Sequence, residues 1–454
     1  MNRQSPEYLN AIDFLLGRIN YEKVNPNQLA PRNFKLDRML KLLETLGNPH
    51  LQLPAIHVTG TKGKGTTCEL IAHSLTANGY KVGLFTSPHV EFFEERFRID
   101  GELASLEQVV EYTQQLRKAV EQLASENEEW ACLTFFELTT ALAWLHFVAQ
   151  KVDLVVLEVG LGGRLDTTNL CRSIVTGITT ISRDHTQVLG ETLPEITLEK
   201  AGILKPEVPN YSTLADNELQ LLIDQQAEAK HATSYQWGRD FHSQVVSAEH
   251  GLNRLTVTQG EQSLEVTIGK MPSHQHSNLT LACAILNELR SQGYAVDAEK
   301  LSEVFQSQLP PLRCETYLGS PALVLDAAHN ECSAKALLEY VALEFPNMPV
   351  TMVVGMARDK DIPTLCKILS ENVEHVIATS APGNPRILSA SQLQQELKTH
   401  AQCNALTANS FDEVWKQAND LTPEQGVIVV AGSFYVSAHF RTWLKNQDLL
   451  PSHV

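Results

Sequence analysis

The run Gly60-Thr61-Lys62-Gly63-Lys64-Gly65-Thr66 sets three glycines among two lysines and two threonines, between an apolar stretch and a helix-like one. Such a loop can turn its backbone N–H groups toward phosphate oxygens, because glycine permits conformations and close approaches that side chains block. Gly60, Thr61, Lys62, Gly63, Lys64, Gly65 and Thr66 are therefore candidate nucleotide-binding residues. Lys64 would hold the terminal phosphates and the Thr66 hydroxyl would ligate Mg²⁺. The match to the usual phosphate loop is not literal, since Gly65 separates Lys64 from Thr66. A plain glycine-rich turn is the alternative, and Lys62 reads equally as a second phosphate contact or as a solvated lysine.

Glu158 closes the apolar run Leu154-Val155-Val156-Leu157. A carboxylate at the end of a buried strand, where an α/β sheet presents groups to a ligand crevice, suits Mg²⁺; the plainer reading is a cap for the glycine loop that follows. His185, in Ser182-Arg183-Asp184-His185, also follows an apolar strand, and Lys200 lies in Glu199-Lys200-Ala201-Gly202. Taken alone, a hydrogen-bonding loop histidine and a solvated helix lysine are the simpler readings of these two.

The elements that must position these groups alternate. Residues 55–59 read as a buried strand, 66–78 as a helix ending at Gly79 and 82–86 as a strand, the rhythm of a parallel sheet covered by helices. A helix at 134–150, strands at 153–159 and 174–181 and a helix at 194–204 continue the sheet beyond residue 200. Residues 234–270 alternate apolar and polar side chains around two expected turns, Glu249-His250-Gly251 and Gln259-Gly260-Glu261, and predict a small antiparallel appendage. Residues 308–313, with Pro310-Pro311, form the expected linker. Beyond it, strands at 322–326, 350–355, 375–379 and 427–431 alternate with helices at 333–345, 362–370, 389–399 and 411–420. The expected class is α/β: a nucleotide-binding domain over 1–308 and a smaller Rossmann-like domain over 309–454.

The composition is that of a soluble, untargeted protein. Of 454 residues 43% are hydrophobic and 20% charged, and 53 acidic against 36 basic side chains give a net charge of -17. General affinity for nucleic acid is not expected. No apolar run reaches the roughly eighteen residues of a membrane span, and the first ten residues resemble neither a signal nor a transit peptide. Eight scattered cysteines, with no CxxC pair, read as reduced thiols in a cytoplasm rather than as zinc ligands.

Three motifs in order resemble the folylpolyglutamate synthase and dihydrofolate synthase family of the Mur ligase superfamily: residues 57–66 around the glycine loop, Thr86-Ser87-Pro88-His89, and the stretch from Glu158 through Gly160, Arg164 and Asp166 to Asn169. The likeness runs from the segment 8–21 to Gly432-Ser433-Phe434-Tyr435. It implies an N-terminal Mur-ligase-type P-loop ATPase domain and a C-terminal Rossmann-like domain. It also implies an ATP-dependent ligase that joins L-glutamate to dihydropteroate, to folates or to both, through an acyl phosphate. Both steps of such a ligation build negative charge that metal ions and fixed cations must stabilise.

The resemblance assigns further roles. Thr66, Glu158, His185 and Lys200 hold two Mg²⁺ ions, with Lys200 carried as a carbamate whose two oxygens replace an ammonium. Lys64, His185 and Lys200 are the catalytic residues. Asn278, after His274-Gln275, faces the nucleotide, though it or Ser277 would equally cap a helix. Arg313, Asp326 and His329 contact ATP from the second domain, so domain closure would precede chemistry. Ser87-Pro88-His89 followed by Glu95-Arg96 resembles the family's pterin loop, with His89 and Arg96 as donors, and its plain alternative is a turn before a charged strand. Phe136 and Glu137 are substrate-side, while Thr134-Phe135-Phe136-Glu137 is also a helix capping box and Phe135 a core residue. Ser433 lies near the amino acid or merely caps a helix. The implied protein is a cytoplasmic monomer acting on small molecules.

Two departures mark the chain. Gly65 is inserted relative to peptidoglycan Mur ligases, as in the folate branch, and Pro311-Leu312-Arg313 replaces the usual Pro-Gly-Arg. Gly65 and the Ser87-Pro88-His89 loop disfavour a peptidoglycan ligase. The presence of Thr66, Glu158, His185 and Lys200 together disfavours a noncatalytic nucleotide-binding module.

Overall fold

The structure, a computed structural model, describes residues 1–20, 35–247, 252–269, 271–272, 275–307, 310–381, 384 and 386–450. The chain divides into two compact units, Met1–Lys270 with Gln275–Gln308, and Leu309–Val454 with Met271–His274.

The first unit is built on a seven-stranded sheet. Its strands are β1 (Pro54–Thr59), β2 (Val82–Phe85), β3 (Phe97–Ile99), β4 (Leu154–Glu158), β5 (Arg172–Ile178), β6 (Asn210–Ser212) and β7 (Ser234–Gln236), in the order β3-β2-β4-β1-β5-β6-β7. Only the β2–β3 pair is antiparallel. β4 is buried along its whole length, four apolar residues followed by Glu158, because both faces of a helix-covered parallel sheet are dry. Val155 and Leu157 pack with Phe85 and the helix α5 introduced below, and the alternating residues of each strand point to the other face.

Helices α1 (Pro6–Leu16), α2 (Asp37–Thr45), α3 (Lys64–Ala77), α4 (Leu106–Glu126) and α5 (Phe135–Ala149) precede α6 (Thr186–Leu189), α7 (Leu193–Ala201), α8 (Asn217–Glu228) and α9 (Gln275–Ser291). α3 lies on β1, β2 and β4 and is covered by α9, so it is buried nearly all round. α5 starts at a complete capping box, Thr134 with Glu137.

A separate antiparallel sheet of β8 (His242–Ser247), β9 (Asn253–Gln259) and β10 (Gln262–Ile268) forms the expected appendage. Its turn at Gly260 is present; that at Glu249-His250-Gly251 lies outside the described residues. The appendage begins later than the sequence suggests, because Ser234–Gln236 instead joins the main sheet parallel to β6. Three residues are too few for a period-two pattern to distinguish the two sheets.

The second unit carries β11 (Glu315–Tyr317), β12 (Ala322–Leu325), β13 (Val350–Val354), β14 (His375–Ala378), β15 (Asn404–Thr407) and β16 (Val427–Ala431), in the order β11-β12-β16-β13-β14-β15. β11 is an antiparallel edge and the rest are parallel. The short strands β11 and β15 go beyond what the sequence pattern predicts, and the helix Phe434–Asn446 follows Ser433 as the capping reading of that residue implies.

Leu312 replaces a glycine of the family pattern yet keeps a left-handed backbone, φ 60°. Its N–H donates to Glu315 Oε2 at 3.1 Å, its carbonyl accepts from Ala327 N–H at 3.0 Å, and its side chain is fully buried. The left-handed state costs a leucine about 1–2 kcal/mol, whereas emptying a buried leucine site costs about 2–5 kcal/mol. Leu312→Gly is therefore expected to destabilise the protein by about 2 kcal/mol. A denaturant midpoint that rises instead would show that backbone strain outweighs packing.

Candidate functional site

In the first unit the carboxyl ends of β2, β4, β1 and β5 stand side by side. They bring together Ser87, Glu158, the Gly60–Gly65 loop and the segment 179–185, the crevice position expected of an open α/β sheet. The loop is stitched to the exit of β5. Thr61 N–H donates to Thr180 O at 2.7 Å, the Thr61 hydroxyl donates to Ser182 O at 3.2 Å and accepts from Ser182 N–H at 3.1 Å, and the Thr179 hydroxyl donates to Lys62 O at 2.6 Å.

Two of its glycines cannot be replaced without moving something. Gly60 has φ +150° and a Cβ there would stand 1.7 Å from Thr179 Oγ1; Gly63 has φ +86° and a Cβ would stand 2.0 Å from Asn278 Oδ1. Asn278, on the first turn of α9, is thus packed directly on the loop, held by its own bond from Nδ2 to Gln275 Oε1 at 2.7 Å. Neighbouring His274 lies outside the described residues. Gly63→Ala is expected to lower turnover about 10²-fold, since the loop must shift by roughly an ångström. Circular dichroism should be unchanged, and wild-type rates would show that the clash is absorbed elsewhere.

Three lysines gather here. Lys64 Nζ donates to Gly60 O at 3.3 Å, and Lys200 Nζ donates to the same carbonyl at 2.7 Å. Lys62 pairs with Asp184 at 3.3 Å, which places its ammonium at the loop and makes it no simple solvated lysine. Lys200 is only 3% exposed, so it is not a solvated helix lysine either. Burial first, and then the charges of Lys64 and Lys62, hold its amine well below the usual lysine range, against the opposing pull of Asp184 and Asp166.

The residues fit a magnesium ion at the head of α3. Among the described residues the buried Thr66 hydroxyl oxygen has no hydrogen-bond partner, and Gly65 leaves the first turn open toward Glu158, whose Oε2 would lie 3.4 Å from a Cβ at that position. Glu158 is buried and accepts a hydrogen bond from Ser87 N–H at 2.9 Å. Among the described residues no three His, Cys, Asp or Glu side chains form a metal-sized group. Mg²⁺ does not need one, since it takes one or two protein ligands beside phosphates and water. His185, with its ring largely exposed and left-handed φ 50°, opens α6 next to Asp184.

On the neighbouring loop, Arg96 Nε donates to His89 Nδ1 at 2.7 Å, and its guanidinium carbon lies 5.1 Å from the Phe135 ring centroid. Phe135 is core, while the Phe136 ring occupies the space beside Gly160 and packs on Phe85 at 5.8 Å between centroids. The capping-box reading of Glu137 holds, as it accepts from Thr134 N–H at 2.7 Å and its own N–H donates to Thr134 Oγ1 at 3.2 Å; Arg38 also pairs with it at 3.4 Å. Pro88 is exposed at the loop tip.

In the second unit Asp326 follows β12 and is buried, its oxygens accepting from Cys314 N–H at 2.7 Å and Ala328 N–H at 2.6 Å. Burial pushes its carboxyl above the usual range, opposed chiefly by Arg313. His329 Nδ1 bonds Ala327 O at 2.8 Å. Ser433 follows β16, the strand beside β12, at the N-terminus of the helix Phe434–Asn446, but its side chain makes no capping bond.

Sequence reasoning gave no individual role to Asp184, which holds Lys62, to Asp166, which accepts from Leu161 N–H at 2.9 Å and Thr168 N–H at 3.0 Å to shape the loop after Glu158, or to Glu95, which it placed in the pterin-loop motif only as the neighbour of Arg96. Each stands inside or beside a quoted motif, and an acidic residue two or three positions from a turn's free N–H groups is the signal for the latter two.

A glycine loop between a central strand and a helix, an Mg²⁺-competent Thr66 and Glu158, and a second α/β unit define an ATP-dependent ligase of the Mur type. Family models agree: the Mur ligase middle domain matches residues 58–286, and the Mur ligase glutamate ligase domain matches residues 312–434. The dihydrofolate synthase/folylpolyglutamate synthase of Bacillus subtilis is 32% identical over 90% of this chain and 95% of its own length. The folylpolyglutamate synthase of Thermotoga maritima superimposes with a TM-score of 0.82 at 29% identity, covering 97% of both chains. Escherichia coli FolC, in a structure with DHPP and ADP, does so with a TM-score of 0.82 at 27% identity, covering 99% of this chain and 100% of that one. The chain belongs to the folylpolyglutamate synthase and dihydrofolate synthase family, the ATP-dependent glutamate ligases of folate metabolism.

Proposed function

We propose that the protein forms an amide between L-glutamate and a pteroyl or folyl carboxylate, phosphorylating that carboxylate with ATP before the amine attacks. The observation that carries this reading is the convergence, at the carboxyl ends of β1, β4 and β2, of the glycine loop, Glu158 and the Ser87–His89 loop. Nucleotide phosphates and an acceptor carboxylate can there occupy adjacent places. The complex of Escherichia coli FolC with DHPP and ADP supports the same pairing of ligands.

In this scheme Gly60 to Gly65 cradle the phosphates with backbone N–H groups, and Lys64 leaves the Gly60 carbonyl to meet the transferred phosphoryl group. Asn278 fixes the wall of the cradle. Thr66 and Glu158 would hold one Mg²⁺, and His185 with carbamylated Lys200 a second; bound Mg²⁺ neutralises phosphate charge as it develops. Ser87, Pro88, His89, Arg96 and Phe136 take the pterin side, and Glu137 supports it by fixing the start of α5. Arg313, Asp326 and His329 are assigned to ATP and Ser433 to glutamate.

The test supplies purified protein with ATP, Mg²⁺ and glutamate, offers dihydropteroate and tetrahydrofolate separately, and identifies products by mass. A gain of one glutamyl residue on either acceptor assigns the corresponding activity. ADP release without any glutamylated product from either would overturn the reading.

A further inference from the structure

The loop between β2 and β3 ends in two adjacent carboxylates that serve different partners. Glu95 turns back on the loop and accepts from three consecutive backbone N–H groups, those of Val90 at 2.6 Å, Glu91 at 2.9 Å and Phe92 at 2.8 Å. Irregular backbone cannot satisfy such donors from a ladder, and bonds to an ionised acceptor are stronger than neutral ones. Glu94 is fully buried, accepting from the Tyr8 hydroxyl of α1 at 2.7 Å and from Arg3 Nη2 at 3.4 Å. Arg3 also stacks on Phe92, 3.7 Å from its ring centroid. His89 and Arg96, bonded to each other at 2.7 Å, sit at the two ends of the segment so fixed, with Phe93 edge-on to His89 at 6.4 Å.

We propose that Glu95 is a positioning residue for the pterin substrate: its carboxylate holds residues 87–92 in the form that presents His89, while Tyr8 and Arg3 lock the same turn from behind through Glu94. The inference rests on the reading of the Ser87–His89 loop and Arg96 as substrate-side. Glu95→Gln keeps the shape but replaces one accepting oxygen by an N–H₂ group that faces a backbone donor. Tyr8→Phe removes one of the bonds to Glu94 and leaves the loop's own residues intact.

Glu95→Gln is expected to raise KM for the pterin acceptor about tenfold, the scale of one charge-assisted hydrogen bond, with KM for ATP unchanged within about twofold. Tyr8→Phe should shift the acceptor KM in the same direction by about threefold, again without touching ATP. His89→Ala is the control for the underlying reading, and the thermal midpoint of each variant is recorded alongside. If His89→Ala raises the acceptor KM while Glu95→Gln and Tyr8→Phe do not, the positioning role is overturned and the substrate reading stands. If His89→Ala also leaves it unchanged, the substrate reading fails and the inference with it. Equal losses toward every substrate, accompanied by a lowered thermal midpoint, would mark Glu95 as structural only. Should Glu95→Gln not fold, Tyr8→Phe decides by the same acceptor-against-ATP comparison.

Discussion

Lys64→Ala is expected to lower turnover by about 10² to 10³ while leaving the fold intact, the usual consequence of removing one preorganised donor from a site where charge develops. Among the described residues Lys64 is partly exposed and bonds only a loop carbonyl, Gly60 O at 3.3 Å, so its loss removes no contact from the core. ATP binding should weaken as well, because the ammonium meets phosphate in ground and transition states alike. Circular dichroism and steady-state rates on one preparation check it, and an active variant would sink the assignment of the loop.

Lys200→Ala is expected to cost about 10²-fold or more, on the scale of disturbed metal ligation, with partial recovery in the presence of short carboxylic acids that can fill the vacated space. The argument begins with burial: the side chain is 3% exposed, and desolvation favours the neutral amine. A neutral amine can attack carbon dioxide and, on losing one proton, become a carbamate; the two oxygens then suit a hard cation that an ammonium would repel. ¹³C NMR with labelled bicarbonate, together with an experimental electron-density map near neutral pH, tests this independently of turnover. A plain ammonium in the ATP-bound enzyme would end the idea.

How far the sequence spoke depended on length of signal. β1 and β4 were legible because each is a short, buried and mostly apolar run that leads straight into a glycine-rich loop, and the glycine loop was legible because its neighbours were. The sheet to which β7 belongs was not, nor were β11 and β15: three residues carry no measurable period, and Asn404-Ala405-Leu406-Thr407 lacks the apolar run that marks the equally short β2 and β12. Local spacing also told the truth about Glu137, whose capping box is complete. Lys200 was the hardest case. In sequence it is an ordinary helix lysine, and its burial depends on a carbonyl 140 residues away. Leu312 taught a related lesson, as the missing glycine left no trace in the backbone because buried contacts hold the leucine in the conformation a glycine would take.

The stitching of Thr61, Lys62 and Thr179 to one another and to the exit of β5 has a dynamic corollary. Protein hydrogen bonds alone close the rear wall of the cradle, so the Thr61 amide should exchange slowly with solvent deuterium, and added nucleotide should change little there. Whatever rearrangement a catalytic cycle requires has to be supplied by segments other than this one, and the loop acts as the fixed reference against which they move.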